Sequence, residues 1–141
     1  MQKRWMALDV GTKRIGVAVS DPLGVIAQGI EVYTRSGGLE NDLTYLADLF
    51  HKYQASALLI GLPRHMDGRE GPEAKGIKKF GNQLGARCGG VTPVFWDERL
   101  TTMEAERTLL TADLSRAKRK KVLDEVAATI LLESYLRYKG K

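Results

Sequence analysis

Cysteine is nearly missing from this chain. Cys88 stands alone, so no internal disulfide framework can form and stability must come from a packed core. Long apolar runs are missing as well, since none approaches the roughly 20 residues that span a bilayer. The first residues lack the charged and then apolar pattern of a secretory leader, and there is neither an internal repeat nor a low-complexity tract. A reducing cytoplasm is the expected location. Aromatic residues make up 7% and are scattered, which favours recognition by charge and shape over stacking of bases on an aromatic platform. Cys88, beside Gly89 and Gly90 at the end of a helical stretch, has no triad partner in view and is expected to pack rather than react.

What is present fits one domain spanning 1–141. A length of 141 residues with 43% hydrophobic content can bury a real core. Lys and Arg number 22 against 17 Asp and Glu, a net charge of +5, which tilts the chain towards polyanionic partners.

Residues 5–10 and 15–20 are short, apolar and rich in β-branched side chains, and "GTKR" between them permits a tight reversal at Gly11. A β-hairpin is predicted. A third strand follows at about 27–33, after the turn signal Asp21-Pro22-Leu23-Gly24. The period then changes: Leu39, Leu43, Leu46, Ala47 and Phe50 share one helix face, and "ALLIG" at 57–61 reads as a strand buried on both sides. Ala74, Ile77, Phe80, Gly81 and Leu84 form a second helical face, followed by a strand over 91–98 whose early part is limited by Pro93. Thr101-Thr102-Met103-Glu104 has the form of a capping box, predicting a helix to about Ala112. A basic linker, 115–121, then leads into a last helix over about 122–138. This order predicts an α/β domain: a mixed five-stranded sheet with a three-stranded antiparallel part, two parallel strands, and helices packed on it.

Three acids occupy unusual places. Asp9 interrupts the first strand and by alternation shares a face with Trp5 and Ala7, beneath a helix. Asp124 lies on a helical stripe with Ala128, Leu131 and Tyr135, which should face the sheet. Glu98 ends what reads as an interior strand. Brought together, three carboxylates raise one another's pKa unless a cation neutralises them. All-oxygen donors favour a hard ion, Mg²⁺ or Mn²⁺, and a sparse acidic site suits hydrolysis of a phosphodiester by water. Taken singly, each acid has an ordinary explanation: Asp9 as a turn residue before Gly11, Glu98 as a helix cap, Asp124 as a partner of Lys120.

Cations crowd the same segments. Lys13 and Arg14 lie in the hairpin turn, Arg99 adjoins Glu98, and Lys118, Arg119, Lys120 and Lys121 precede Asp124. Such a set can hold a phosphate backbone with strong salt dependence, although a run of four is also what a solvated linker looks like.

"ALDVGTKRIGVAVSD", "LIGLPRHMDGREG", "WDERLTTMEAE" and "RKKVLDEVAATILLESYL" resemble, in this order, the four motif blocks of the YqgF family of pre-16S rRNA nucleases, also described as Holliday junction resolvase-like. The blocks extend from residue 7 to residue 136, nearly the whole chain. The resemblance implies a ribonuclease H-like fold and metal-dependent cleavage of structured RNA, pre-16S rRNA first, or of branched DNA. It assigns the metal and the catalysis to Asp9, Glu98 and Asp124. In the second block Arg64 and Arg69 are candidate phosphate contacts, while His65 reads as part of a Pro- and Gly-shaped turn.

Two other functions remain open. "DVGTKRIG" also resembles the first phosphate motif of the actin and sugar-kinase superfamily, but 141 residues supply only one of the two domains needed to enclose ATP. A non-catalytic rRNA-binding module is the other. Junction resolution needs two sites related by a two-fold axis, whereas RNA processing tolerates a monomer, so monomer and homodimer both stay in play.

Overall fold

The two N-terminal β-branched segments pair as antiparallel strands, β1 (Trp5–Val10) and β2 (Arg14–Ser20), with Met6 opposite Val19 and Asp9 opposite Gly16. The Gly11 N–H donates to the Arg14 carbonyl at 2.9 Å and closes the turn. A Cβ on Gly11 would stand 2.8 Å from that same oxygen, so this reversal requires glycine. β3 (Ala27–Thr34) pairs antiparallel with β2. The turn before β3 is organised by Asp21, whose carboxylate accepts from the N–H groups of Val25 and Ile26, both at 2.7 Å.

The computed structural model describes residues 3–63, 67–98 and 115–140, with side chains throughout except at residues 116 and 119–125. The helix expected over 101–112 lies outside the described residues. After β3 come α1 (Leu39–Lys52), β4 (Ala57–Leu62), α2 (Pro72–Arg87), β5 (Val94–Asp97) and α3 (Arg116–Lys139). β4 runs parallel to β1 and β5 parallel to β4, giving one sheet in the order β3-β2-β1-β4-β5. This is the mixed, five-stranded α/β architecture that the hydrophobic periods indicate.

Alternation along β1 divides the core. Met6 and Leu8 pack with Leu43, Leu46, Phe50, Ile77, Phe80 and Leu84, beneath α1 and α2. Trp5 and Ala7 pack with Ala128, Leu131 and Tyr135, beneath α3 on the opposite face. Each face therefore buries a separate apolar cluster, and Tyr135 meets both Trp5 and Trp96 edge-on, with ring centroids 5.0 and 5.1 Å apart. Cys88 is buried in the first cluster, and burial pushes its thiol up to about 11, as befits a packing residue.

Three expectations need correction. The strand ending near Glu98 is not interior: β5 is the outer strand of the sheet, only four residues long, because Val91 to Pro93 stay outside it and Pro93 has no N–H to give a ladder. Residues 115–121 are not a linker. α3 begins at Arg116, where Ser115 caps the helix by accepting from the Lys118 N–H, and Ala, Arg and Lys are good helix formers. Arg14 is not a turn residue but the first residue of β2, opposite Thr34.

Candidate active site

The strand registers build the site from three directions. The last parallel pair between β1 and β4 is Leu8 with Ile60, so one step further sets Asp9 beside Gly61. Asp9 follows Ala7 on the α3 face, and Gly61 follows Leu59 on that face too. Glu98 approaches from β5, two residues beyond Trp96, which is itself opposite Gly61. Its carboxylate lies over Gly61: a Cβ placed there would meet Glu98 Oε1 at 2.9 Å and Leu131 Cδ2 at 3.1 Å. Glycine at position 61 thus opens the space that the Glu98 carboxylate fills. Asp9 is half-buried, as is Glu98.

α3 supplies the third direction. Tyr135 packs near the start of β1 against Trp5, while Leu131, one turn earlier, reaches Gly61 near the end of β4. The helix crosses the sheet, packing chiefly against β2 and β3 and more lightly against β1 and β4. Residue 124 belongs to the N-terminal half of α3, and its spacing puts it on the stripe that buries Ala128, Leu131 and Tyr135. The Asp124 side chain lies outside the described residues. Among the described residues no group of three His, Cys, Asp or Glu gathers closely enough to hold a metal ion. Asp9 and Glu98 are the two expected acids that the described structure brings to one corner. Both offer only oxygen, the donor chemistry of a hard divalent cation.

The basic candidates are more dispersed. Lys13 and Arg14 are exposed at and just after the β1–β2 turn, and Lys118 is exposed in the first turn of α3. Arg69 pairs with Asp67, Nε to Oδ2 at 2.6 Å, in an exposed loop where such a pair contributes little stability. Arg64, His65 and Arg99, and the side chains of Arg119, Lys120 and Lys121, lie outside the described residues.

A polar group that the sequence reading missed stands on the other side of the β1–β2 turn. Asp42 of α1 is 1% exposed, and its carboxylate accepts from Tyr33 Oη at 2.7 Å, Arg35 Nε at 3.0 Å, the Ser36 N–H at 3.0 Å and Ser36 Oγ at 3.1 Å. Burial alone would raise this carboxyl, but the hydrogen bonds from Ser36, Tyr33 and Arg35 together hold it below its ordinary value. Arg35 carries the connection onward: Nη1 donates to the Gly11 carbonyl at 3.0 Å and its backbone N–H to the Lys13 carbonyl at 2.8 Å. The only sequence signal was an acid next to Leu43 on an otherwise apolar helix face.

Known proteins bear directly on this fold and corner. The family model described as RuvX, Holliday junction resolvase, matches residues 3–138. This chain belongs to the RuvX family. It is the family whose motif blocks the sequence resembles under the name YqgF, and it is a family of nucleases. A RuvX relative from Carboxydothermus hydrogenoformans, named as a pre-16S rRNA nuclease, is 48% identical over 136 residues, covering 96% of this chain and 97% of that one. One from Myxococcus xanthus with the same name is 50% identical over 133 residues, 94% of this chain and 87% of that one. Among solved structures, T. thermophilus RuvC in complex with a Holliday junction substrate matches with a TM-score of 0.61 over 99% of this chain and 98% of that one. At 13% identity this likeness is one of fold, the ribonuclease H-like fold. Among the described residues no helix is long and apolar enough to cross a membrane.

Proposed function

We propose that this RuvX-family chain is a metal-dependent nuclease that hydrolyses phosphodiester bonds during 5′-end maturation of pre-16S rRNA in the cytoplasm, with Asp9, Glu98 and Asp124 as its catalytic, metal-holding acids. The observation that carries this reading is the Glu98 carboxylate seated over Gly61, in the register position next to Asp9. The names of the RuvX relatives supply the substrate.

The donor set fits Mg²⁺ or Mn²⁺, because carboxylate oxygens are the ligands such ions prefer. A divalent ion held there supplies Lewis-acid charge that activates water and stabilises the charge developing on the phosphate. Asp9, on a central strand between β2 and β4, gives a fixed oxygen ligand, since its backbone pairs with Gly16 of β2 and that of its neighbour Leu8 with Ile60 of β4. Glu98 gives a ligand positioned by what lies beneath it. Asp124 completes the set from α3. Lys13, Arg14 and Lys118, together with Arg64, Arg69, Arg99, Arg119, Lys120 and Lys121, hold the phosphate backbone, so binding weakens steeply with salt.

The family description favours a second reading, cleavage of four-way DNA junctions. One experiment separates the two. Purified protein with Mg²⁺ or Mn²⁺ is given a pre-16S rRNA 5′ fragment and, in parallel, a four-way junction. Cutting of the RNA, lost in Asp9→Asn, supports the proposal; cutting of the junction alone moves the function to resolution. If Asp9→Asn cuts as well as wild type, the acidic site is wrong.

A further inference from the structure

A cleft of about 760 Å³ opens between the β1–β2 turn and the β3–α1 connection, lined by Thr12, Lys13, Arg14, Thr34, Arg35 and Asp42 among others. Three of these side chains are cationic and one is acidic. The acid is Asp42, and its carboxylate is already occupied by four hydrogen bonds from the protein. The lining thus offers positive charge and hydroxyl groups to whatever enters.

Arg35 is the organised member. Its Nε is fixed by Asp42 and its Nη1 by the Gly11 carbonyl, and its guanidinium lies 5.2 Å from the centre of the Phe80 ring. Among the described residues this uses two of the five N–H donors of the guanidinium and leaves three without a protein acceptor, although the side chain is only 23% exposed. A guanidinium held rigid with donors to spare is prepared to bind a planar or tetrahedral oxyanion, because little further rotamer entropy is lost on binding. The cleft is also near the acids. Lys13 is four residues from Asp9, so the chain separates them by at most about 14 Å.

We propose that this cleft is a second phosphate subsite, in which Arg35, with Lys13 and Arg14 beside it, holds a backbone phosphate of the nucleic acid away from the scissile bond. The inference rests on the nucleic-acid substrate proposed above. Asp42 does not touch the phosphate; it orients Arg35, and through Arg35 the turn that follows Asp9. Such a contact is indifferent to base sequence and adds register and affinity.

The test measures binding of the RNA fragment and of the four-way junction in Ca²⁺ at several salt concentrations, with cutting in Mn²⁺ followed separately. Arg35→Gln should weaken binding about tenfold, the equivalent of one charge-assisted contact, and reduce the slope of log K against log salt by about one. Thr34→Glu places a carboxylate on the exposed rim without removing any hydrogen bond of the Asp42 group, and should also weaken binding. It reports on the cleft even where Arg35→Gln melts early. Unchanged affinity and salt slope in a folded Arg35→Gln, or in Thr34→Glu, overturns the subsite, and cutting by wild type then leaves the nuclease reading standing. Weakened binding in both variants of a chain that never cuts supports the subsite and removes the nuclease reading. Absence of any binding by wild type removes the subsite as well.

Discussion

Glu98 and Gly61 are fitted to one another: Glu98 Oε1 lies 2.9 Å from the point where a Cβ on residue 61 would stand, and Leu131 Cδ2 lies 3.1 Å from the same point. A side chain at position 61 and the Glu98 carboxylate cannot share this space. Gly61→Ala should therefore displace Glu98, the more easily moved neighbour. The stability cost should be near the low end for overpacking, about 1 kcal/mol, while cutting falls about 100-fold, as follows from moving a reacting group by about an ångström. Urea unfolding and single-turnover cleavage on the same preparation check both figures. Equal loss in the two would mean that the variant is merely unstable.

Removal of metal should abolish cutting reversibly. After dialysis against a chelator the protein is expected to remain folded, because its two apolar clusters do not depend on the acidic corner. Adding back Mg²⁺ or Mn²⁺ should restore cleavage in wild type and not in Glu98→Gln or Asp124→Asn. Circular dichroism before and after chelation, alongside the cleavage assay, provides the measurement.

Asp42 should make stability depend on acid. Its carboxyl is held below its ordinary 3.8 in the folded chain, so near that pH the unfolded chain binds more protons. The stabilisation is complete above 3.8 and drains away as pH falls through the lower folded value. At neutral pH Asp42→Asn should cost about 2–3 kcal/mol, the worth of hydrogen bonds to a buried charge. As pH falls below 3.8 the gap between variant and wild type should narrow. Urea midpoints from pH 7 to pH 2.5 test this, and a gap that stays constant would show that Asp42 is not charged in the folded protein.

Cys88 should be inert. With its thiol pushed up to about 11 by burial, almost no thiolate is present at pH 8. Iodoacetamide is expected to leave the native protein unlabelled and to label it fully in 6 M guanidinium, as mass spectrometry would read. Cleavage should survive in Cys88→Ala.

Much of the molecule was legible residue by residue. The alternation of Trp5, Ala7 and Asp9 against Met6 and Leu8 assigned each side chain to its face, and the spacing of Ala128, Leu131 and Tyr135 assigned the sheet-facing stripe of α3. Where the reading erred, the competing force was local. Ser115 and the helix-forming Arg, Ala and Lys residues after it started α3 earlier than an apolar stripe beginning at Val122 suggested. Glu98 was picked out as an acid at a strand end, but its strand proved to be the outer one.

The sequence by itself determined the elements, their order and the face that each strand presents, because periods of 2.0 and 3.6 are properties of neighbouring residues. It also determined the family, because the four blocks are read in order along one chain. Only the tertiary structure decided that Glu98 rests on Gly61, and that Asp42 reaches Gly11 through Arg35. These contacts join segments 37 and 31 residues apart, and they depend on strand register and helix packing, which no local pattern encodes.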